Sequence, residues 1–397
     1  MTASPDPIPM QDLAIQHDAL EPALLAGLSK LLASGRFVQG DPVRSFELEL
    51  ARRCGAAHAV GCNSGTDALW LALRALDVGP GDVVLCPAFS FFASAATIVR
   101  LGARPLFCDI RPDTLNLDPE DALARARAVP ELKALLTVDL FGRLCELGAL
   151  ADDCRARQIP IVEDAAQSVG ALDGAGRPLG AQSRIACLSF YPTKNLGALG
   201  DAGAVVTADA ALASRITRLR SHGESEPGLY TELGINSRLD SFQALALSIK
   251  LAHLDEWTRA RREWAAHYDA LFRERGALDG LEPFGPDRLP LRLLAPAPAP
   301  ALHTYHRYVV RVAADRRAGL IDALRRQGIA CEVYYARGLH QQPALAAHAP
   351  AMPLVEVESA TRECLALPLY PELGSARVER VVDAVVSHLE RPLAAGS

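Results

Sequence analysis

The sequence predicts an α/β fold, with a large mainly parallel central sheet flanked by helices and a smaller C-terminal α+β domain. Short β-rich apolar runs alternate with amphipathic stretches from about residue 55 to 225, the pattern of crossover units on a parallel sheet. A second set of strand and helix signals follows a proline-rich break at residues 282–301. The length of 397 residues, with 50% hydrophobic and 22% charged side chains, is enough for one large unit with a smaller one appended.

Six runs are continuous and apolar: Val83–Cys86, Pro105–Cys108, Ala134–Val138, Ile159–Val162, Ile185–Phe190 and Ala204–Thr207. Strands covered on both faces have this character. Between them, residues 68–76, 92–101 and 146–158 carry apolar side chains three and four apart, the spacing of one helical face. A single long helix is expected from Arg238 to about Phe272, joining two lobes. The domain boundary is therefore expected near residue 265, giving an N-terminal segment and large domain over 1–265 and a small domain over 266–397. Residues 282–301 are so rich in proline that neither helix nor central strand can run through them, and they read as a connector. Beyond it, Thr304–Val312 and Ala330–Tyr335 read as strands, and Asp315–Gln327 and Ala376–Leu389 as helices.

A formal net charge of −6 argues against general nucleic-acid affinity, which needs a basic face. Any positive pocket for an anionic substrate must be local. No apolar run reaches the ~20 residues that span a bilayer, so no membrane partner is expected. The first 13 residues lack the basic-then-apolar order of a signal peptide. A cytoplasmic location is the resulting expectation. Nine cysteines lie scattered without a CxxC pair or a metal-ligand rhythm, and read as small apolar fillers in a reducing compartment. No metal is expected.

Three segments carry chemistry. Asn63-Ser64-Gly65-Thr66 places small residues before a helix, where free N–H groups and the positive end of the dipole suit an anion; Ser64 or Thr66 serving only as an N-cap is the plainer reading. Glu163-Asp164 ends a buried-looking strand, the end at which ligands gather in open α/β sheets. A carboxylate there can pair with a protonated ring nitrogen, or simply cap the helix after the strand. Lys194 sits in a loop between two strands, flanked by small and polar groups. A partly desolvated lysine becomes nucleophilic and can form an imine with an aldehyde, whereas a lone lysine is usually a solvated surface charge.

Together these segments supply a phosphate cradle, a carboxylate and an imine-forming lysine, the three anchors of pyridoxal 5′-phosphate (PLP). Their order resembles that of the fold-type I PLP enzymes. Five stretches narrow the resemblance to the DegT/DnrJ/EryC1/StrS family of sugar aminotransferases: Asn63–Thr66, Pro87–Ser94, Glu163–Gln167, Ser189–Asn195 and Gly234–Asp240, within a similarity covering about residues 25 to 390. The resemblance implies that Ser64, Gly65, Thr66 and Ser189 hold the cofactor phosphate and that Asp164 pairs with the ring nitrogen. Gln167 would lie by the phenolic oxygen, Phe91 would stack on the ring, and Lys194 would form the imine and move the proton. Asn236 matches a position that reaches the cofactor of a neighbouring subunit, which implies a homodimer with shared sites.

The resemblance further implies an amino donor, commonly L-glutamate, and a nucleotide-linked keto sugar as acceptor. Its substrate-side stretches fall at His306-Arg307-Tyr308 and at Tyr334–His340, which makes His306, Tyr308, Tyr335, Arg337 and His340 candidate contacts and Arg307 or Arg337 a candidate diphosphate partner. The chain departs from the family pattern at Asp139 and Tyr334, each in place of a common histidine, at Ala202 in place of glycine, and at Ser90 in place of threonine. Asp139 and Tyr334 are expected near cofactor or sugar. Two other readings stay open: a PLP-dependent sugar dehydratase and a PLP-binding regulator that does not transaminate. Retention of Lys194 weighs against both, and the lack of cluster-forming cysteines weighs against the dehydratase. A nicotinamide-binding enzyme is disfavoured because the glycine-rich segment 197–203 lies between two strands rather than between strand and helix.

Overall fold

Seven strands build the large sheet: β1 (His58–Cys62), β2 (Val83–Pro87), β3 (Arg104–Cys108), β4 (Leu132–Val138), β5 (Ile161–Asp164), β6 (Ile185–Ser189) and β7 (Gly203–Thr207), in the order β1-β7-β6-β5-β4-β2-β3. Only β7 runs against the others, pairing antiparallel with β1 and β6. The computed structural model from which these elements are described covers residues 6–285 and 288–391. The first residues read for a signal peptide therefore lie partly outside the described residues, as do positions 286 and 287 of the connector.

Helices α1 (Leu13–Asp18), α2 (Glu21–Ser34) and α3 (Asp41–Arg53) precede the sheet, and α4 (Gly65–Ala75), α5 (Ala93–Arg100), α6 (Pro119–Arg127), α7 (Ala149–Ala156) and α8 (Ala210–Leu219) connect or flank its strands. The apolar runs become strands because both sheet faces are covered: Leu85, Cys86, Leu135, Leu136, Val162 and Leu188 have no accessible surface. Helix α4 is apolar nearly all round, burying Ala68 to Leu73 and Ala75, as expected of a helix packed between other layers. Strand β1 was absent from the expected set. Its residues His58-Ala59-Val60-Gly61-Cys62 are too short and mixed to stand out.

After a two-stranded ribbon of β8 (Glu224–Glu226) and β9 (Leu229–Tyr230) come α9 (Ser241–Leu251) and α10 (Leu254–Glu274). The single long helix expected over 238–272 is thus two. The chain turns at Ala252-His253, and α10 restarts with Asp255 and Glu256 in its first turn, where the positive helix end favours acids. The remaining strands β10 (Leu278–Asp279), β11 (Leu291–Leu293), β12 (Tyr308–Val312) and β13 (Cys364–Leu367) form the small sheet, backed by α11 (Ala314–Arg326), α12 (Val355–Glu363) and α13 (Ser375–Leu389).

Three expectations for this half are corrected. The proline-rich connector does contain a strand inside the sheet, because β11 fits in the gap between Pro290 and Pro296. Residues 330–335 form no strand, only a bridge from Glu332 to Ala366. Strand β12 starts at Tyr308 rather than Thr304, since Thr304 and His306 donate their N–H groups to Gly142 and Phe141 of the large lobe. The second core gathers Tyr268 and Phe272 of α10 with β11 to β13, α11 and α13, and takes in Ile8 from the N-terminus. Residue 265, where the boundary was placed, falls inside α10.

Candidate active site

At the carboxyl ends of β1, β5 and β6 lies a cavity of about 530 Å³ lined by the three expected anchors. Sheet register brings them together. Cys62 of β1 and Ser189 of β6 both pair with Gly203 of β7, so the segment leaving β1 meets the end of β6. The approach is close enough to demand glycine: a Cβ on Gly65 would lie 2.6 Å from the Ser189 Cβ, and one on Gly203 would lie 2.4 Å from the Ser64 backbone oxygen.

Ser64 is the N-cap of α4, its Oγ accepting from the Asp67 N–H at 3.1 Å. Capping and anion binding turn out to be compatible. Ser64 satisfies Asp67, while the N–H groups of Gly65 and Thr66 find no acceptor among the described residues. Those two donors, the helix dipole and the Ser189 hydroxyl in the same cavity make a cradle for a phosphate.

Asp164 ends β5 and is 5% exposed. Its Oδ2 accepts from the Ser94 hydroxyl at 2.7 Å and its Oδ1 from the Ala166 N–H at 3.3 Å. Burial pushes the carboxyl above its usual range, while the Ser94 hydrogen bond and the Lys194 charge pull it back. A cation in the cavity would complete that pull. Ser94, on α5, was not among the expected site residues, although it ends the Pro87–Ser94 stretch; only its hydrogen bond to Asp164 singles it out.

Lys194 lies in the β6–β7 loop, which folds back through hydrogen bonds from the Ala198 N–H to the Phe190 carbonyl and from the Lys194 N–H to the Tyr191 carbonyl, both 2.8 Å. Burial lowers its amine to about 8, with Asp164 opposing and Arg307 reinforcing the shift. An amine so poised is neutral in a substantial fraction near pH 8 and can attack a carbonyl.

Gln167 accepts from the Phe141 N–H at 2.7 Å and donates to the Tyr335 hydroxyl at 3.4 Å. Phe91 lines the mouth, 60% exposed. His306 lines the cavity and shares its Nδ1 with Asn195 Oδ1 at 3.1 Å; burial holds the imidazole well below its usual pKa, hence neutral. Arg307 and Tyr334 lie on the same side, the guanidinium 5.5 Å from the ring centroid. Among the described residues Arg307 has no carboxylate partner within ion-pair distance.

Five expected residues stand outside this cavity. Tyr308 donates its hydroxyl to Asp269 at 2.7 Å and stacks on Tyr268 in the small-lobe core. Arg337 is exposed, and His340 is buried beside Phe107. Both stretches contribute residues to the cavity, but the backbone there is irregular, so strand alternation does not say which side chains face inward. Asn236 is exposed and bridges Ser221, next to Ser237, whose hydroxyl donates to Asn63 Oδ1 at 3.1 Å. Asp139, expected near cofactor or sugar, is buried outside the cavity, accepting from the Cys145 N–H and the Ser168 hydroxyl; Tyr334 does line it.

Comparison with known proteins bears on this site. A dTDP-3-amino-3,4,6-trideoxy-alpha-D-glucose transaminase of Streptomyces venezuelae is 40% identical over 97% of this chain and 97% of its own. A pleiotropic regulatory protein of Geobacillus stearothermophilus is 39% identical over 95% and 97%. The crystal structure of DesV from S. venezuelae, in complex with a ketimine intermediate, superposes with a TM-score of 0.89 at 38% identity, over 97% of this chain and 99% of that one. The profile of one family matches residues 19–386, a span that contains the cradle, the carboxylate and the lysine described above: the chain belongs to the DegT/DnrJ/EryC1/StrS aminotransferase family.

Proposed function

We propose that the protein moves an amino group from an amino acid, L-glutamate in the first instance, to the keto group of a nucleotide-linked sugar, using PLP held in the 530 Å³ cavity. The observation that carries this reading is the pairing of Lys194, its amine lowered to about 8, with the buried Asp164 carboxyl in that one cavity.

The residues fit the cofactor. Gly65, Thr66 and Ser189 would present donors to its phosphate, Asp164 would present an acceptor to a protonated ring nitrogen, and Phe91 would supply an aromatic side chain at the mouth. When bound, PLP supplies a carbonyl for the amino group to be carried on and a ring that withdraws charge from the reacting carbon. The chain supplies the rest. Lys194 would hold the cofactor through its amine, and that amine, when free, is the group in the cavity suited to accept and return a proton. Asp164, oriented by Ser94, would keep the ring nitrogen charged. Gln167, fixed by Phe141 and hydrogen-bonded to Tyr335, lines the same cavity and would lie within reach of the cofactor. His306 steadies Asn195, the residue after Lys194. Arg307, which donates to Gln11 Oε1 at 3.5 Å but has no carboxylate partner among the described residues, would be available to meet an anionic group of either substrate.

A homodimer with shared sites is part of the same reading. Asn236 lies near exposed apolar side chains, Leu229, Tyr230 and Leu233 among them, the last 85% exposed. Phe37 and Val38 join them, since Val38 bridges Asp240. Apolar surface of this kind marks an interface, and Asn236 would reach the partner's phosphate across it. All nine cysteines are free, which suits a reducing cytoplasm, and no described helix is long and apolar enough to cross a membrane.

The regulator named among the relatives supports a second reading, in which PLP is bound without transamination. Incubating the protein with PLP, L-glutamate and a panel of nucleotide-linked keto sugars, with mass detection, separates the two. Conversion of a keto group to an amine on any sugar supports the transaminase; PLP uptake with no amine gain across the panel supports the regulator.

A further inference from the structure

Lys250 is a lysine with no accessible surface, on the inner side of α9. Burying an ammonium is costly, and the cost is visible in its amine, lowered to about 8 by burial. Nothing in the reaction uses this group. It makes two hydrogen bonds, both 2.8 Å: it donates to the Gly197 carbonyl and meets His17 Nε2 of α1. Gly197 is itself buried, in the loop that carries Lys194 three residues earlier. Its carbonyl needs a donor that the loop does not provide. Glycine is required there as well, because a Cβ would lie 2.2 Å from the Pro192 carbonyl oxygen. The loop is thus folded tightly on itself with its polar backbone turned to α9.

A second side chain of the same helix holds the same loop. Gln243, two turns before Lys250, accepts from the Leu199 N–H at 2.8 Å. Residues 197 and 199 are therefore gripped from one helix, one through a carbonyl and one through an N–H.

We propose that Lys250 and Gln243 are positioning residues that fix the Lys194 loop from α9, and that Lys250 extends the hold to the N-terminal helix through His17. The proposal rests on the reading of Lys194 as the cofactor lysine only for its catalytic consequence; the contact itself exists without cofactor. An unanchored loop would let the Lys194 amine wander from the point where proton transfer needs it, and a misplacement of about 1 Å can cost ~10²-fold in rate.

The test uses the full-length protein, cofactor-free and then PLP-loaded, with Lys250→Met, Gln243→Leu and the double variant. In the cofactor-free protein, amide hydrogen exchange over residues 195–200 is expected to quicken ~10-fold in each single variant and further in the double, with β5 unchanged. In the loaded protein kcat is expected to fall ~10-fold while the donor KM stays within ~2-fold, because donor contacts are intact. Exchange at 195–200 equal to wild type in a folded Lys250→Met or Gln243→Leu protein would overturn the anchoring. Quickened exchange with unchanged kcat would overturn the positioning of Lys194. If Lys250→Met does not fold, Gln243→Leu, whose side chain is only partly buried, decides both points. A wild-type protein without a visible PLP band would instead overturn the cofactor reading and leave the exchange result standing.

Discussion

The wall of the cavity made by the ends of β1, β5 and β6 holds its side chains by sheet register, helix capping and glycine-enforced contact, whereas the wall made by His306, Arg307, Tyr334 and Tyr335 hangs on the irregular backbone before β12 and after α11. On the first wall Ser64, Asp164 and Ser189 have positions dictated by elements that pack on both faces. On the second, Thr304 and His306 are tied across to Gly142 and Phe141, and neighbours diverge: Arg307 and Tyr335 enter the cavity while Tyr308 and Arg337 do not. From this contrast we propose a division of labour, in which the sheet-held wall serves the chemistry common to the family and the irregular one meets the acceptor. Loops on a rigid scaffold are where binding preferences are commonly set.

The sharpest way to break the contrast is on the sheet-held wall. Lys194→Ala is expected to lower kcat for amine transfer by ~10³-fold or more, since proton transfer by a placed base alone contributes roughly 10²–10⁴-fold. Mass detection of the aminated product checks this. The same residue gives a pH signature in the cofactor-free protein. With its amine lowered to about 8, acylation of Lys194 should rise through a midpoint near 8, well below the ordinary lysine range, read by peptide mass mapping. Stability shifts in the same window: between about 8 and the unfolded value the unfolded chain binds the extra proton, so the destabilisation from Lys194 is full below about 8 and is relieved as pH rises.

Asp164→Asn comes next, with an expected loss of ~10²-fold in kcat, the scale of removing one preorganised electrostatic contact. Burial raises this carboxyl, so the ionised form costs the cofactor-free fold stability above the unfolded pKa. The cofactor-free variant should therefore melt no lower than wild type at neutral pH. A variant that melts lower would make Asp164 a structural residue and erase the distinction between the walls.

Much of the sheet-held wall was legible because its chemistry sits at strand ends and helix starts, where short local patterns fix direction. Lys194 read as a surface charge until Asp164 and the Ser64-Gly65-Thr66 turn were set beside it. Ser94 was missed because a serine in the first turn of a helix carries no signal of its own; its value lies in a contact to a residue 70 positions away. Lys250 was missed for the opposite reason, since lysine in a helix normally reads as solvated. On the other wall His306 and Tyr335 line the cavity while Tyr308, Arg337 and His340 do not, a sorting the apolar pattern could not give because β12 begins four residues later than that pattern suggested. The exposed ribbon of β8 and β9 carried no warning either, its strands being three and two residues long.

A smaller effect is expected on the irregular wall itself. Arg307 faces the cavity over Tyr334 and its charge depresses the Lys194 amine. Arg307→Met should raise KM for an anionic substrate ~10-fold, as loss of a charge-assisted contact does, with kcat changed far less. It should also move the Lys194 acylation midpoint upward, because one like charge is gone. A fall in kcat with unchanged KM would transfer Arg307 to the chemical wall.

The smallest effect on activity belongs to Tyr308, and it tests whether the sorting of side chains on the irregular wall is right. Its hydroxyl donates to Asp269, whose carboxyl is raised by burial and lowered by this hydrogen bond. Tyr308→Phe keeps the ring stacked on Tyr268 and removes only the donor. The expected cost is about 1–2 kcal/mol of stability, for a buried acceptor left short of a partner, seen as a lower melting temperature, with kcat and both KM values within ~2-fold of wild type. Tyr335→Phe is the matched control, because the Tyr335 hydroxyl accepts from Gln167 at the cavity and its loss should appear in kinetics. Should Tyr308→Phe instead raise the sugar KM without lowering the melting temperature, the strand alternation would extend through His306 after all, and the substrate would reach past the cavity into the small lobe.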